Sequence, residues 1–521
     1  MMCSPKRGCL VPALLLAVCG QAAHAQFLNP NVINTPGPIN SSVNGLQFVN
    51  YGMVGVGRIP AFLDAQGSTF GSVSSLAVTP GSWSFNPSTG AYSGEFQTLP
   101  DRGRNDPASG NFLNYQNRVQ KLDFSFKPLF AGNGSSQDQI SFNYTGLTLL
   151  SEASGAPTVG NDPGAEVGMA FGKSVPRNNG NLTIDAEGLV ALPTGDYFVS
   201  DEYASAIYRF NASGTLTGVI TPPEALVPRN AANGLNFSSL STPATGRRQN
   251  QGMEALSVSP DGRYLFAMNQ SAAVQDSTGS NQANRRNTRV LVYDLAQGDT
   301  PSDPVGHYAM TLPTFDLNGN ASGLDRTAAQ SEIVAISNTQ FMVLARDGNG
   351  RGPGTGNAPA YKSVILADIT GATNLVGTVY NGPTPIASGG NIVPSITPVS
   401  QAEALNMLNL FDLGRFGLNL NVSAAFPDGD MNTLSEKWEG LALVPDLATP
   451  DPFDYFLFIA NDNDFITRNG IMKTSDGTVI PYSDGIENDT MFLAYKISLI
   501  PAPGAAAFFA FGSLALARRR R

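Results

Sequence analysis

The chain has 521 residues, a formal net charge of −10, three cysteines and two histidines. Cys3, Cys9, Cys19 and His24 all lie in the first 25 residues, which read as an export signal removed on cleavage, so what remains has no thiol or disulfide chemistry and only His307. Two-histidine zinc motifs and the arginine–histidine motif of acid phosphatases are thereby excluded, no GxSxG elbow occurs, and GMAFGKS fails as a phosphate loop because Val167 stands where Gly or Ala is required.

In chain order, Lys6 and Arg7 precede an apolar stretch from Leu10 to Cys19, and Ala23, His24 and Ala25 give a small-x-small cleavage site before Gln26. A lipoprotein reading of Leu16 to Cys19 is weaker, because Val18 is bulky just before the cysteine. Residues 26–48, rich in Asn, Pro and Ser, predict an exposed leader, and residues 49–497 a single repeat domain.

The repeat is clearest at DAEGLVALPTGDYFVSDEYASAIYRF, from Asp185 to Phe210. Asp185 and Glu187 open an apolar run, Pro193 to Gly195 turn the chain, a second run ends in Asp201 and Glu202, and a third begins at Ile207. GMEALSVSPDGRYLFAMNQ repeats this with Glu254 and Asn269. SEIVAISNTQFMVLARDG repeats it with Glu332, Arg346 and Asp347, and KWEGLALVPDLATPDPFDYFLFIANDND with Glu439 and Asn461 to Asp464. An earlier, degenerate copy has Ser75 in place of the glutamate and then Asp101 and Arg102. Five copies of one antiparallel unit predict an all-β propeller, with Glu187, Glu254, Glu332 and Glu439 at equivalent inner-strand positions. The long gaps before Glu187 and Glu439 favour six blades over five. Residues 270–288 and 350–360 are expected as long loops and 380–400 as an insertion; a propeller holds a chain of this size as one domain by adding blades.

At the far end, Pro501 to Gly504 precede an apolar segment, Ala505 to Ala517, and Arg518 to Arg521. Residues 498–521 resemble the bacterial PEP-CTERM sorting tail, with Pro-Ala-Pro in place of Pro-Glu-Pro. The segment is short for a membrane span unless Ile497 to Ile500 extend it, so transient membrane contact before processing is expected. Removing both basic, acid-free ends takes the charge from −10 to −16, which argues against nucleic acid and for cations as partners.

Equivalent strand ends of a propeller ring one axis, so the acids converge. Two carboxylates about 6 Å apart repel by roughly 3 kcal/mol at an effective dielectric near 20, and hard cations relieve that cost. With no Cys or His to contribute, oxygen ligands select Ca²⁺, with Mg²⁺ as the other candidate. The candidate metal set is Asp101, Asp185, Glu187, Asp201, Glu202, Glu254, Glu332, Glu439 and Asp462. The competing reading makes each glutamate a clasp on backbone N–H groups of the neighbouring blade. Weaker signals are the EF-hand-like spacing of Asp428, Asp430, Asn432, Glu436 and Glu439, spoiled by Thr433 at the glycine position, and Asp316, Asn318 and Asn320. His307, Trp83 and Trp438 read as structural, although Trp438 beside Glu439 could line the mouth.

The order DAEGLVALPTGDYFVSDEY, GMEALSVSPDGRYLFAMNQ, RVLVYDLAQG, KWEGLALVPD and NDND resembles the esterase-like activity of phytase family over about residues 50–497. The family's acidic positions carry over onto Asp101, Arg102, Asp185, Glu187, Glu202, Glu254, Arg346, Glu439 and Asp462. The chain departs from it at Asn269–Gln270 and at Ala345, where the family tends to have glutamate. The resemblance implies a Ca²⁺-dependent phosphoester hydrolase acting on a small molecule, with Glu187, Glu202, Arg102 and Arg346 as catalytic residues and the arginines neutralising phosphate charge. The EG-led strand followed by VSDEYASAIYRF also resembles the gluconolactonase type of propeller. A non-catalytic surface protein binding a glycan or a protein is the third reading.

Overall fold

A computed structural model describes residues 26–27, 31–106, 111–317, 323–353 and 356–502. The export signal at 1–25 and most of the predicted tail, from 503 on, lie outside these residues, as do Asn318 and Asn320.

The fold is all-β and propeller-like, built on five large antiparallel sheets. Sheet one begins with Ser75–Val78, sheet two with Ala186–Ala191, sheet three with Met253–Val258 and sheet four with Ala329–Ala335. Sheet five begins with Lys437–Pro445, continues through Asp454–Asp462 and Thr490–Pro501, and is completed by two strands from the other end of the chain, Leu46–Ile59 and Ile39–Val43. The first strands of successive sheets lie side by side, and that of sheet five lies beside that of sheet one. Neither stretch expected to hide a further blade holds another four-stranded sheet among the described residues. Beyond Arg118–Phe126 and Ile140–Leu149, which complete sheet one, the stretch before Glu187 has only short strands, at Asn105–Asp106, Asn111–Phe112, Val167–Ala170, Lys173–Asn178 and Asn181–Leu182, and beyond sheet four the one before Glu439 has the two-residue pair Ala387–Ser388 and Asn391–Ile392 and the helix Leu410–Arg415.

The apolar pattern explains why sheets pack on both faces. Along a strand successive side chains alternate, so a run that is apolar throughout feeds two neighbours. In Tyr264–Asn269, Leu265 and Ala267 pack toward sheet two while Phe266 and Met268 pack toward sheet four. In Gln340–Arg346, Phe341 and Val343 join sheet three while Met342 and Leu344 join sheet five. The layer between sheets five and one is aromatic: Phe96 stacks on Phe124 with centroids 3.7 Å apart, and Phe458 meets both edge-on. Trp83 stacks on Tyr92 at its rim, and Trp438 is fully buried between sheets four and five with Nε1 donating to Ser435 O (3.0 Å), so both tryptophans are packing residues.

Gly188 and Gly440, which follow two of the repeat glutamates, are needed for close approach. A Cβ on Gly188 would lie 2.8 Å from Leu256 N in sheet three, and one on Gly440 2.9 Å from Leu76 Cβ in sheet one.

Two expectations are corrected. The leader is not a loose arm: Asn31 is buried and bonds to Glu403, Ile33 bridges to Asn409, and residues from Ile39 onward belong to sheet five. Ile497 to Ile500 are part of the strand Thr490–Pro501, paired to Gln47–Asn50, and cannot lengthen an apolar tail. No helix among the described residues is long and apolar enough to cross a membrane.

Glu332 is displaced by one residue from the other repeat glutamates. In sheet four the extra residue of the bulge is Ser331, and Glu332 pairs with Leu344. Its buried carboxylate accepts from Leu256 N of sheet three (3.3 Å), from Ile333 N (2.9 Å) and from Ser75 Oγ of sheet one, which itself accepts from Leu189 N of sheet two (2.9 Å). Ser331 Oγ donates to Trp438 O of sheet five (2.8 Å). The clasp reading therefore describes Glu332. Glu332→Ala would leave several buried donors unmade and should lower unfolding free energy by about 3 kcal/mol, equally with and without calcium. Urea denaturation showing a loss under about 1 kcal/mol would sink this assignment.

Candidate active site

Four of the five first strands carry a bulge at or beside the repeat glutamate. The register slips between Ala186 and Leu189, between Met253 and Ala255, and between Trp438 and Gly440, so Glu187, Glu254 and Glu439 fall within the slipped segments. Bulges re-aim side chains, and these three aim at one cavity of about 540 Å³. The second strands end on the same side. Asp101–Arg102, Glu202, Gln270, Arg346 and Asp462–Asp464 follow or close those strands in sheets one to five, and each pair of ends supplies at least one residue to the cavity wall.

Within the cavity the charges are sorted. On one side Asp185, Glu187 and Glu202 can bring one oxygen each to within 4.8 Å of the others. Arg102 Nη1 lies 2.7 Å from Asp185 Oδ2, and the guanidinium is further held by Asn250 Oδ1 (2.6 Å) and Ser239 Oγ (3.3 Å). On the other side Asp101, Asp462 and Asp464 form a second such group, with Lys437 Nζ 2.5 Å from Asp462 and 2.7 Å from Asp464. Between them Arg346 pairs with Glu439, and Gln270 Nε2 donates to Glu254 Oε1 (2.8 Å). Arg104 lines the cavity as well, paired to Asp484 (2.7 Å) and lying over the Tyr482 ring.

Backbone strain gathers here too. Ser72, Asn250, Asp464 and Phe465 all have positive φ, at 58°, 49°, 49° and 57°. Ser72 donates to Asp101 (3.2 Å) and Asn250 accepts from Arg102, so the strained residues position charged ones.

Burial dominates the electrostatics. It raises Glu187 and Glu254 well above the carboxylate range, with neighbouring carboxylates adding to it, and pushes Asp185 up to about 8 and Glu439 up to about 7 against the opposing pull of Arg102 and of Lys437 and Arg346. Glu436 is likewise pushed up to about 8. Asp462 alone in the set is lowered: burial pushes it up, and Lys437 together with the Asp464 N–H and Ser72 more than offsets that.

Of the candidates read from sequence, Asp101, Arg102, Glu187, Glu202, Glu254, Arg346 and Glu439 line the cavity, and Asp185 and Asp462 stand directly behind it in ion pairs. Asp201 does not reach it: its carboxylate is spent on Asp185 N (3.1 Å), Tyr203 N (2.9 Å) and Ala204 N (3.0 Å). Glu332 lies apart, as described. The EF-hand-like spacing does not assemble, since Asp430 accepts from Asn432 N (2.7 Å) in its own turn while Glu439 faces Arg346. His307 is buried between Arg289 Nη1 (3.1 Å) and Asn381 Oδ1 (2.8 Å), and burial pushes it down to about 3, so it is a neutral structural residue. Lys437, Asp464, Glu436, Gln270 and Arg104 were missed. A period-two reading finds the first, because Lys437 precedes Glu439 by two positions as Asp185 precedes Glu187.

The cavity fits a hard cation by its donor set and by its unmet oxygens. Glu187 is 8% exposed and takes no hydrogen bond from any described residue. No N–H or hydroxyl among them reaches Asp185 Oδ1 or Glu254 Oε2 either.

A family model described as Phytase-like: Esterase-like activity of phytase matches residues 69–465. An uncharacterized secreted protein of Arthroderma benhamiae is 32% identical over 484 residues, covering 84% of this chain and 90% of its own. Among solved structures, Kuenenia stuttgartiensis hydrazine synthase is 12% identical with a TM-score of 0.25, over 85% of this chain and 80% of that one. Virginiamycin B lyase from Staphylococcus aureus is 11% identical with a TM-score of 0.21, over 87% and 99%.

The raised carboxyls make stability depend on pH. Asp185, Glu436 and Glu439 keep a proton in the folded chain at pH values where the unfolded chain has lost it, so their contribution is complete at acid pH and disappears as pH rises through about 7 to 8. In chelator, the melting temperature should fall from about pH 7 to about pH 9, a window above the titration of unfolded histidine, and calcium should remove the part of that fall that comes from Asp185. Scanning calorimetry showing a flat or rising profile in chelator would contradict the assignment.

Proposed function

The chain belongs to the phytase-like family described as esterase-like activity of phytase, and from that premise we propose that it is an exported, Ca²⁺-dependent phosphoester hydrolase whose active cleft is the carboxylate-lined cavity. We read the five large sheets as the blades of a closed propeller, five being the smaller of the two counts the sequence allows. The terminal strands sharing sheet five support that reading. Export is supported by the signal-like first 25 residues and by a relative whose description calls it secreted.

One observation carries the chemistry: a carboxylate as buried as Glu187, aimed into a polar cavity with no donor of its own, beside two fixed guanidiniums. Asp185, Glu187 and Glu202 would hold the cation, with Glu254 adding negative charge from the cavity wall and Mg²⁺ as the alternative to Ca²⁺. When bound, the ion would act as a Lewis acid toward a phosphoryl oxygen and make water easier to deprotonate.

The chain's own residues supply the rest. Arg102 is held through Nη1 and Nη2 and Arg346 through Nη2, and the buried Nε of each has no acceptor among the described residues. They stand ready, without reorganisation, to neutralise charge gathering on a phosphoryl group. Glu202, raised by burial and accepting from Gly252 N (3.3 Å), is placed to take a proton from attacking water. Arg104 brings a further cation to the wall, so the basic complement exceeds the two arginines read from sequence.

The test is a panel of phosphomonoesters, phosphodiesters and lactones, with and without chelator. Phosphoester turnover should vanish in chelator, return with calcium, and fall about a hundredfold in kcat/KM for Glu187→Gln and for Arg346→Ala. Calcium should raise the melting temperature, by the equivalent of about 2.7 kcal/mol at a hundredfold excess over Kd. Turnover of lactones alone would move the assignment to the lactonase class. Absence of both turnover and any calcium effect would leave a binding protein.

A further inference from the structure

Two carboxylate triads of the same reach lie in and directly behind the cavity wall, and they differ in what sits among them. In each, three oxygens can come within 4.8 Å of one another. Asp101, Asp462 and Asp464 surround an ammonium: Lys437 Nζ touches both Asp462 Oδ2 and Asp464 Oδ1, at 2.5 and 2.7 Å. Asp185, Glu187 and Glu202 surround nothing of the kind. Arg102 reaches that triad only at Asp185 Oδ2, and Glu187 is left with no donor although it is more than nine-tenths buried.

Strand register produces the difference. Asp185 and Lys437 occupy the same position, two residues before the bulge glutamate of their own first strand, so both project toward the cavity. Sheet one stands between these two sheets and meets them with adjacent residues of opposite sign. Arg102 turns to Asp185 of sheet two, and Asp101 joins the group around Lys437 of sheet five. One position therefore carries a carboxylate in one sheet and an ammonium in another, and the neighbouring Asp-Arg pair complements both.

We propose that Lys437 is a built-in cation filling the Asp101–Asp462–Asp464 triad, so that the chain takes a single divalent ion, at Asp185, Glu187 and Glu202, rather than a pair. The inference rests on the metal-dependent reading above and refines it to one ion. A tethered ammonium needs no binding entropy and competes for the same oxygens a divalent ion would require. Replacing it with a neutral side chain leaves three neighbouring carboxylates uncompensated, and these then recruit a cation from solution.

Calcium chloride titrated calorimetrically into the chelator-treated protein counts the sites. The wild type should bind one ion, Lys437→Gln two, and the double variant Glu187→Gln/Lys437→Gln one. Two ions on the wild type, or one on both the wild type and Lys437→Gln, would overturn the proposal. No ion on the wild type but one on Lys437→Gln would retire the metal-dependent hydrolase while upholding the role of Lys437. No ion on either would end both. If Lys437→Gln does not fold, Asp464→Asn in the wild-type background decides: calcium affinity should stay within about twofold, whereas a loss of tenfold or more would place the ion in the second triad.

Discussion

The carboxylate of Glu332 is the contact on which the centre of this molecule depends. Through it and its partner Ser75 the first strands of sheets one, two, three and four are joined by hydrogen bonds, and Ser331 beside it adds sheet five. Apolar layers between sheets are not directional, and on their own they permit sliding. A buried carboxylate with fixed donors does not, because any displacement leaves those buried donors unmade. That fixed centre lets the strand bulges hold Glu187, Glu254 and Glu439 against one another.

The cost of that convergence is electrostatic, and the structure offsets part of it internally. Arg102, Arg346 and Lys437 each answer one or two carboxylates. Gln270 donates to Glu254, where a further carboxylate would repel it. Arg247, buried under the Glu202 side, spends its donors on the carbonyls of Tyr203, Phe237 and Ser238 and still contributes its charge to the nearby acids. What is left uncompensated is concentrated at Glu187, and a site is most reactive toward cations where its own residues have not already answered the charge.

Much of the site was legible because it follows the strand period. An acid before an apolar run and a second acid after the next run mark the two ends of a hairpin that must lie together, so Asp101, Glu187, Glu202, Glu254 and Glu439 of the cavity wall could be named from the chain alone. The errors fall where local pattern is degenerate. Glu332 looks like Glu254 in sequence, and Asp201 looks as available as Glu202. One residue of slip in the sheet-four bulge, and three backbone N–H groups converging on Asp201, decide otherwise.

By itself the sequence determined the all-β class, the repeated hairpin with its carboxylates, the confinement of every cysteine to the first 25 residues and the restriction to oxygen ligands. These follow from composition and from period-two alternation, which are local properties. Tertiary structure alone decided which carboxylates face the cavity, which are clasps, and which meet a cation. Those outcomes turn on bulge register and on the spacing between sheets, where a side chain on Gly188 would strike the backbone of sheet three and one on Gly440 the Leu76 side chain of sheet one. They depend on residues far apart in the chain: Asp101 joins the group around Lys437, and Arg102 meets Asp185, only once sheet one is packed between sheets two and five.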